Sequence, residues 1–300
     1  MPPLTRIIPA LVHIQAHLDQ DLSLDALAGH VGLSKYHFHE LFKSATGETP
    51  KAYVERLRLE WAAVQLRIRR VAVVDLALEC GYRNHETFSR AFRGRFLTSP
   101  REYRKQWFRL EHDTRRPRFQ RAPAQAPRGE LSTTRIVRLS PLTVAFKRHL
   151  GPYERVSPDI FARLTAWALR RGGGTPLLLG IARDAPGITP AAKIRFDCCV
   201  QVPATFETDG EIGCQRTPGG DHAITDYVGS WDLGPAYESI LERLGNMPTL
   251  DIVGLPAIEI YRATQVGALD GLARVAIAIP VATRGLMVSA RYTEGPIPLS

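Results

Sequence analysis

Two short runs of polar side chains stand at a fixed offset of 50 in the chain. The first holds Ser34, Lys35, Tyr36, His39, Glu40 and Lys43, and the second holds Asn84, His85, Glu86, Ser89, Arg90 and Arg93. Amides, hydroxyls, imidazoles and guanidiniums of this kind can pair with base edges and phosphates of a duplex. A carboxylate of another kind, Glu259, sits between Ile258 and Ile260 in the apolar run AIEIY. Turned inward on a strand, it would be partly desolvated and would attract a cation. Catalytic signatures are missing: the sequence contains no GxSxG, HExxH, P-loop or GxGxxG, and no His beside a Cys or Ser in a nucleophile arrangement. Gly172-Gly173-Gly174 follows a helical stretch and reads as a cap and loop, not a phosphate cradle. The four cysteines (Cys80, Cys198, Cys199, Cys214) lack any ligand spacing and read as buried or incidental thiols of a reducing cytoplasm. Neither a catalytic residue, a metal nor a cofactor is therefore expected.

The polar runs need elements to hold them, and the sequence supplies the same elements twice. Phe38 and Phe42 match Phe88 and Phe92; Pro50 and Tyr53 match Pro100 and Tyr103. Upstream the offset falls to 49, with Leu27-Ala28 against Leu76-Ala77 and Gly32 against Gly81. Each copy reads as a short helix (Leu24–His30, Val73–Cys80), a glycine that can adopt positive φ, and a second helix capped by Ser34 or Asn84. The phenylalanines are spaced i, i+4, so they face a core and leave the polar run on the opposite face. Thr49 and Ser99 cap helices that begin at the two prolines. From Pro50 to about Arg69 one continuous helix is expected, about 30 Å long. That approaches the roughly 34 Å turn of B-DNA, enough to hold two helices in successive major grooves.

Charge follows the same division. Residues 1–130 hold 22 Lys/Arg and 14 Asp/Glu, a net +8; residues 131–300 hold 17 and 16, a net +1. The basic excess favours a polyanionic partner for the first part. A hydrophobic fraction of 44% allows a core in each of two domains. No apolar stretch is long enough to span a bilayer, and the first 20 residues, with their apolar run broken by His13 and Gln15, do not read as a signal peptide. The expected layout is an all-α N-terminal domain over 1–107, an Arg/Pro/Ala/Gln-rich linker over 108–130, and an α+β C-terminal domain over 131–300.

The two copies carry a family resemblance. The segment LSLDALAGHVGLSKYHFHELFKSATGETPKAYVERLRLEWAAVQL, followed by VAVVDLALECGYRNHETFSRAFRGRFLTSPREYR, resembles the DNA-binding domain of the AraC/XylS family over about residues 5–106. The resemblance implies a seven-helix domain with two helix-turn-helix units. It implies base-reading roles for Tyr36, His39 and Glu40 in one helix and for His85, Glu86 and Arg90 in the other. Some relatives place an arginine where this chain has Glu40, so their operator preference does not carry over at that position.

The second half also repeats. In Val144–Tyr153 and Ala223–Trp231 a strand ends at a glycine (Gly151, Gly229), an aromatic follows two residues later, and a helix begins shortly after. Helices are expected over about Val156–Arg171 and Pro235–Leu244. Two duplicated strand-helix-strand-strand modules imply a pseudo-twofold pair with a groove between them. The fragments FKRHLGPYERV, LLLGIARDAPGITPAAKIRFDCCVQVP, LPAIEIY and VAIAIPV resemble the GyrI-like small-molecule-binding domain over about 132–283. That resemblance implies an aromatic pocket around Glu259, taking amphipathic or cationic molecules. Tyr153, Tyr227, Trp231, Phe196, Tyr261 and Trp167 are its candidate walls, with Trp167 leaning to core; Asp197 is expected to pair with Arg195 or a backbone group.

The combination predicts a ligand-responsive regulator of promoter DNA, cytoplasmic and nucleoid-associated, contacting RNA polymerase and no membrane. The alternative is a GyrI-like hydrolase, using Glu259 with Tyr227 or Tyr153, or a drug-sequestering protein, tethered by its DNA-binding part.

Overall fold

A computed structural model describes residues 3–112, 129–171, 176–206, 212–254, 256–261 and 271–283. The chain divides into two compact units, residues 1–117 with the short segment 208–213 and residues 118–207 with 214–300.

The first unit is helical throughout: α1 (Pro3–Ala16), α2 (Leu24–His30), α3 (Lys35–Thr46), α4 (Pro50–Ile68), α5 (Val73–Glu79), α6 (His85–Phe96) and α7 (Pro100–His112). Side chains at the helix starts satisfy backbone donors that would otherwise lack partners. Ser34 accepts from the His37 N–H at 3.3 Å, Asn84 from Thr87 at 2.8 Å and Thr49 from Ala52 at 3.3 Å. Ser99 and Glu102 cap each other, the Ser99 hydroxyl accepting from the Glu102 N–H and the Glu102 carboxylate accepting from the Ser99 N–H. The turns before α3 and α6 use Gly32 and Gly81, at φ 65° and 72°. After α3 the chain turns through Gly47 at φ 72°; after α6 the same left-handed position is filled by Leu97, at φ 59° and with its side chain in solvent.

Duplication extends to packing. Residues 34–50 and 84–100 have the same degree of burial at every equivalent position. Phe42 meets Tyr53 edge-on at 5.3 Å and 82°, and Phe92 meets Tyr103 at 5.4 Å and 80°. The connecting helix α4 is buried around most of its circumference, which explains its weak amphipathicity: Tyr53, Val54, Leu57, Leu59, Ala62, Ala63 and Leu66 are buried, and so are Arg56 and Glu60. These two charges are matched. Arg56 donates to Glu48 at 2.7 Å and to Glu60 at 3.2 Å, and Glu60 also accepts from Arg95 of α6. Arg69 pairs with Glu79 of α5 at 2.8 Å, and Arg67 donates to the Tyr103 hydroxyl at 2.8 Å.

The second unit is built on a sheet of β1 (Gly129–Leu131), β2 (Arg135–Leu139), β3 (Thr143–Leu150), β4 (Leu178–Ala182), β5 (Arg195–Gln201), β6 (Gly213–Arg216), β7 (Gly220–Gly229), β8 (Leu250–Ile252), β9 (Ala257–Tyr261) and β10 (Ala273–Thr283). Its helices are α8 (Pro158–Leu169) and α9 (Gly234–Gly245). The spatial order is β1-β7-β10-β9-β4-β5-β3-β6, with β2 also on β7 and β8 on β10. At the centre β4 and β9 run antiparallel, Gly180 directly opposite Glu259. Alternation along paired strands puts Gly180, Phe196, Cys198, Tyr227, Glu259 and Ile277 on one face. Phe161 of α8 and Tyr237 of α9 both reach residues of this face.

The opposite face carries Asp197, and here the sequence expectation is corrected. Asp197 pairs with Arg148 at 2.7 Å and Arg183 at 2.5 Å, not with Arg195, which forms its own pair with Asp184 at 2.7 Å. Arg148 lies directly across the ladder from Asp197, whereas Arg195 lies two residues along its own strand. The expected linker is also shorter in its described part: α7 runs on through 108–112, and Gly129 and Glu130 already pair with β7. Gly172–Gly174 lie outside the described residues.

Removing one partner of a buried ion pair strands the other charge. Glu60→Ala is therefore expected to destabilise the N-terminal unit by about 3 kcal/mol, read by urea unfolding; a change within about 0.5 kcal/mol, the size of an ordinary surface substitution, would contradict the network's role.

Candidate nucleic-acid interface and buried carboxylate

The outer faces of α3 and α6 are laid out alike. Phe38 and Phe42, or Phe88 and Phe92, hold each helix down, so the positions between them project outward. Lys35, Tyr36, Glu40 and Lys43 are exposed on α3, with Tyr36 79% accessible despite its ring, and His39 is half-buried. On α6 the exposed set is His85, Glu86, Arg90 and Arg93, with Ser89 half-buried. Ser34 and Asn84 are exposed but occupied as caps. Several of these groups already have partners: Lys35 pairs with Asp25 at 2.5 Å, His39 Nδ1 lies 3.0 Å from Glu40 Oε1, and the Ser89 hydroxyl lies 3.2 Å from His85 Nε2. Arg90 forms no ion pair with another described residue, and Arg93 interacts electrostatically with Glu102.

In the second unit, Glu259 is 5% accessible. Its carboxylate accepts from the Tyr237 hydroxyl at 2.9 Å and from the Tyr261 hydroxyl. Burial raises its pKa above the ordinary 4.5, and the two hydroxyls only partly offset this. Opposite it, Gly180 permits close packing: a Cβ there would run into Phe196 Cζ and lie 3.1 Å from Glu259 Oε2, so a larger residue would collide with both. Around the carboxylate, Phe161 meets Tyr261 edge-on at 5.1 Å, and Trp231, half in solvent, stacks on Tyr261 at 6.2 Å and 27°.

Of the sequence-predicted aromatic residues, Phe196, Tyr261 and Trp231 gather at Glu259. Tyr153 stands behind Phe196, ring centroids 5.7 Å apart, and its hydroxyl donates to the Asp184 carbonyl at 2.6 Å. Tyr227 is buried on the same face, and its hydroxyl donates to the Ser230 carbonyl at 3.1 Å. Neither hydroxyl is hydrogen-bonded to Glu259; the Tyr237 and Tyr261 hydroxyls hold those places. Trp167 lies further along α8, packed on Phe206 at 5.4 Å and on the Arg171 guanidinium at 4.2 Å. Tyr237 and Phe161 were not singled out from sequence. Both lie inside helices beside core positions, and the available signal is that each is the fourth residue of its helix, Phe161 in α8 and Tyr237 in α9. Among the described residues no cluster of His, Cys, Asp or Glu is arranged to hold a metal ion, and no helix is long and apolar enough to cross a membrane.

The fold thus defines a protein of two paired helix-turn-helix units joined to a sheet domain with a carboxylate at its centre. Residues 27–106 match a helix-turn-helix domain model, and residues 132–282 match the GyrI-like small molecule binding domain. The chain belongs to the AraC family of transcriptional regulators, in the form that carries a C-terminal GyrI-like domain. It is 38% identical over 100 residues to Regulatory protein SoxS of Salmonella typhimurium, covering 33% of this chain and 94% of that protein. To Right origin-binding protein of Escherichia coli it is 40% identical over 95 residues, 32% of this chain; the match spans about a third, 33%, of that relative's length. Among solved structures, the AraC-type regulator from Chromobacterium violaceum is 32% identical, covering 34% of this chain and 91% of that one, with a TM-score of 0.32.

Because its pKa is raised in the folded state, Glu259 favours folding most below its unfolded value, and that contribution is lost as pH rises through the folded value. Glu259→Gln keeps an acceptor for the tyrosines without the charge. It is expected to raise the melting temperature of the C-terminal unit at neutral pH, with the gain shrinking toward pH 4.5. A difference between wild type and variant that does not change with pH would contradict the assignment.

Proposed function

We propose that the chain is a promoter-binding transcription regulator whose GyrI-like domain takes a small organic cation or amphipathic molecule at Glu259. The observation that carries the first half is the equivalence of the two helix-turn-helix units about α4. A helix of 19 residues is about 28 Å long, close to the roughly 34 Å turn of B-DNA. One chain then presents α3 and α6 to successive major grooves. Ser34, Lys35, Tyr36, His39, Glu40 and Lys43 serve the first, and Asn84, His85, Glu86, Ser89, Arg90 and Arg93 the second. The +8 charge of residues 1–130 supplies the phosphate attraction.

The second half rests on the buried carboxylate. A desolvated Glu259 with aromatic neighbours Phe161, Phe196, Trp231 and Tyr261 has the chemistry of a cation site. Tyr153 supports it through its edge-on contact with Phe196, and Tyr227 lies on the same sheet face. The central strands support a duplicated origin for this domain: β7-β10-β9 and β3-β5-β4 follow the same pairing order outward-in and meet at the antiparallel Gly180–Glu259 pair. Ligand binding would change promoter affinity only through a difference in free energy between two states of the chain. Such a regulator acts in the cytoplasm, on the nucleoid, and reaches transcription through RNA polymerase. The two tyrosine hydroxyls on Glu259 also suit a hydrolytic general acid, so ligand trials are run with product analysis.

Promoter binding by the full chain, followed by gel shift, is expected to weaken steeply with added salt, since phosphate contacts release counterions. Arg90→Ala is expected to cost about 1–3 kcal/mol of operator affinity. Absent or salt-independent binding would contradict the regulator reading. In thermal-shift trials with cationic amphipathic compounds, stabilisation that Glu259→Gln abolishes is expected; a library that shifts nothing would contradict the ligand site.

A further inference from the structure

Helices α3 and α6 are equivalent in fold but opposite in charge at one outward position. Helices α3 and α6 start at side-chain caps, Ser34 and Asn84, and their burial matches position by position through 34–50 and 84–100. Residue 40 of α3 therefore occupies the place of residue 90 of α6. One is Glu40 and the other Arg90, and both are exposed. Glu40 lies on the surface of the unit: its side chain is 56% accessible, and its carboxylate Oε1 lies 3.0 Å from Nδ1 of the neighbouring His39. The next outward positions on the two helices, Lys43 and Arg93, share a sign, so the reversal is confined to this one pair.

An outward carboxylate on a groove-facing helix is repelled by phosphate and gains only where a base edge offers a donor. In the major groove that donor is the N4 amino group of cytosine, the pairing suited to glutamate. A guanidinium at the same place makes its bidentate contact with guanine O6 and N7. We infer that Glu40 is a specificity-determining residue that reads a cytosine in the half-site of α3, while Arg90 reads a guanine at the corresponding place of the other half-site, about one duplex turn away. The operator is then asymmetric, and the chain binds it in one orientation. This rests on the reading of α3 and α6 as DNA-reading helices. His39 restrains the carboxylate before DNA arrives and is released or retained according to the base it meets.

The test is selection of duplexes from a random library by the full-length protein, for wild type, Glu40→Arg and Glu40→Gln, with each variant's melting temperature checked first. Because Glu40 is exposed, both variants are expected to melt like wild type. Wild type is expected to enrich a cytosine about one turn from the guanine that depends on Arg90. Glu40→Arg is expected to convert that cytosine to guanine and to lose at least about tenfold affinity for the wild-type operator. Glu40→Gln is expected to shift the preference toward adenine. Enriched operators in which the base at that position is unspecified, or unchanged by Glu40→Arg, would overturn the inference and leave DNA reading intact. Failure to enrich any sequence would overturn both.

Discussion

The Glu48–Arg56–Glu60–Arg95 chain, buried at Arg56 and Glu60, is the constraint on which the geometry of the helical unit depends. A helix surrounded on most sides by protein has little room for charge, and α4 nevertheless carries Arg56 and Glu60 inside. Each has its opposite, and the opposites come from both copies: Glu48 from the turn after α3 and Arg95 from α6. Apolar contacts alone would permit the two helix-turn-helix units to slide along α4 with little penalty. Charged, directional hydrogen bonds between matched groups have one good arrangement, and any slip strands a charge in a medium that solvates it poorly. Arg58 adds a second tie, donating to the Leu18 and Gln20 carbonyls at 2.8 and 2.7 Å, and the Gly81 turn packs so closely on it that a Cβ would lie 2.7 Å from the Leu18 oxygen. The spacing of α3 and α6 is thereby set by chemistry at their common support.

The sheet domain shows what the same physics does when the partner is withheld. Asp197 and Glu259 are both buried carboxylates on the central strands. Burial alone would push both pKa values up. At Asp197 the Arg148 and Arg183 guanidiniums outweigh burial and hold the carboxyl well below the usual range. At Glu259 the partners are two neutral hydroxyls, and burial prevails. Asp197 is complete within the fold and serves to join β3, β4 and β5. Glu259 has hydrogen bonds but no counter-charge among its hydrogen-bond partners, and Gly180 across from it lets the Phe196 ring pack directly beside the carboxylate. This contrast separates a structural carboxylate from one with affinity to spare for a cation.

Much of the helical unit was legible because its signals are local and doubled. Caps, turn glycines and i, i+4 phenylalanines each have a short-range cause, and the second copy repeats them at a constant offset. The network on α4 was not legible: Arg56 and Glu60 look like an ordinary exposed i, i+4 pair until the helices that cover them are known. In the sheet domain the position of Glu259 and its neighbour Tyr261 could be inferred, but the second hydroxyl could not. Tyr237 approaches from α9, a contact between residues 22 apart that no local pattern records. The Asp197 expectation failed for a related reason. The nearest arginine in sequence, Arg195, lies on the same face but belongs to Asp184, and the true partners arrive across the ladder and from the end of β4.

The central claim is that one chain holds two reading helices at a fixed spacing, and hydroxyl-radical footprinting of the full-length protein on a selected operator tests it most directly. Protection in two blocks about one helical turn apart on one side of the duplex, present together at every protein concentration, is the expected result. A single protected block, or two blocks that fill at different concentrations, would contradict it.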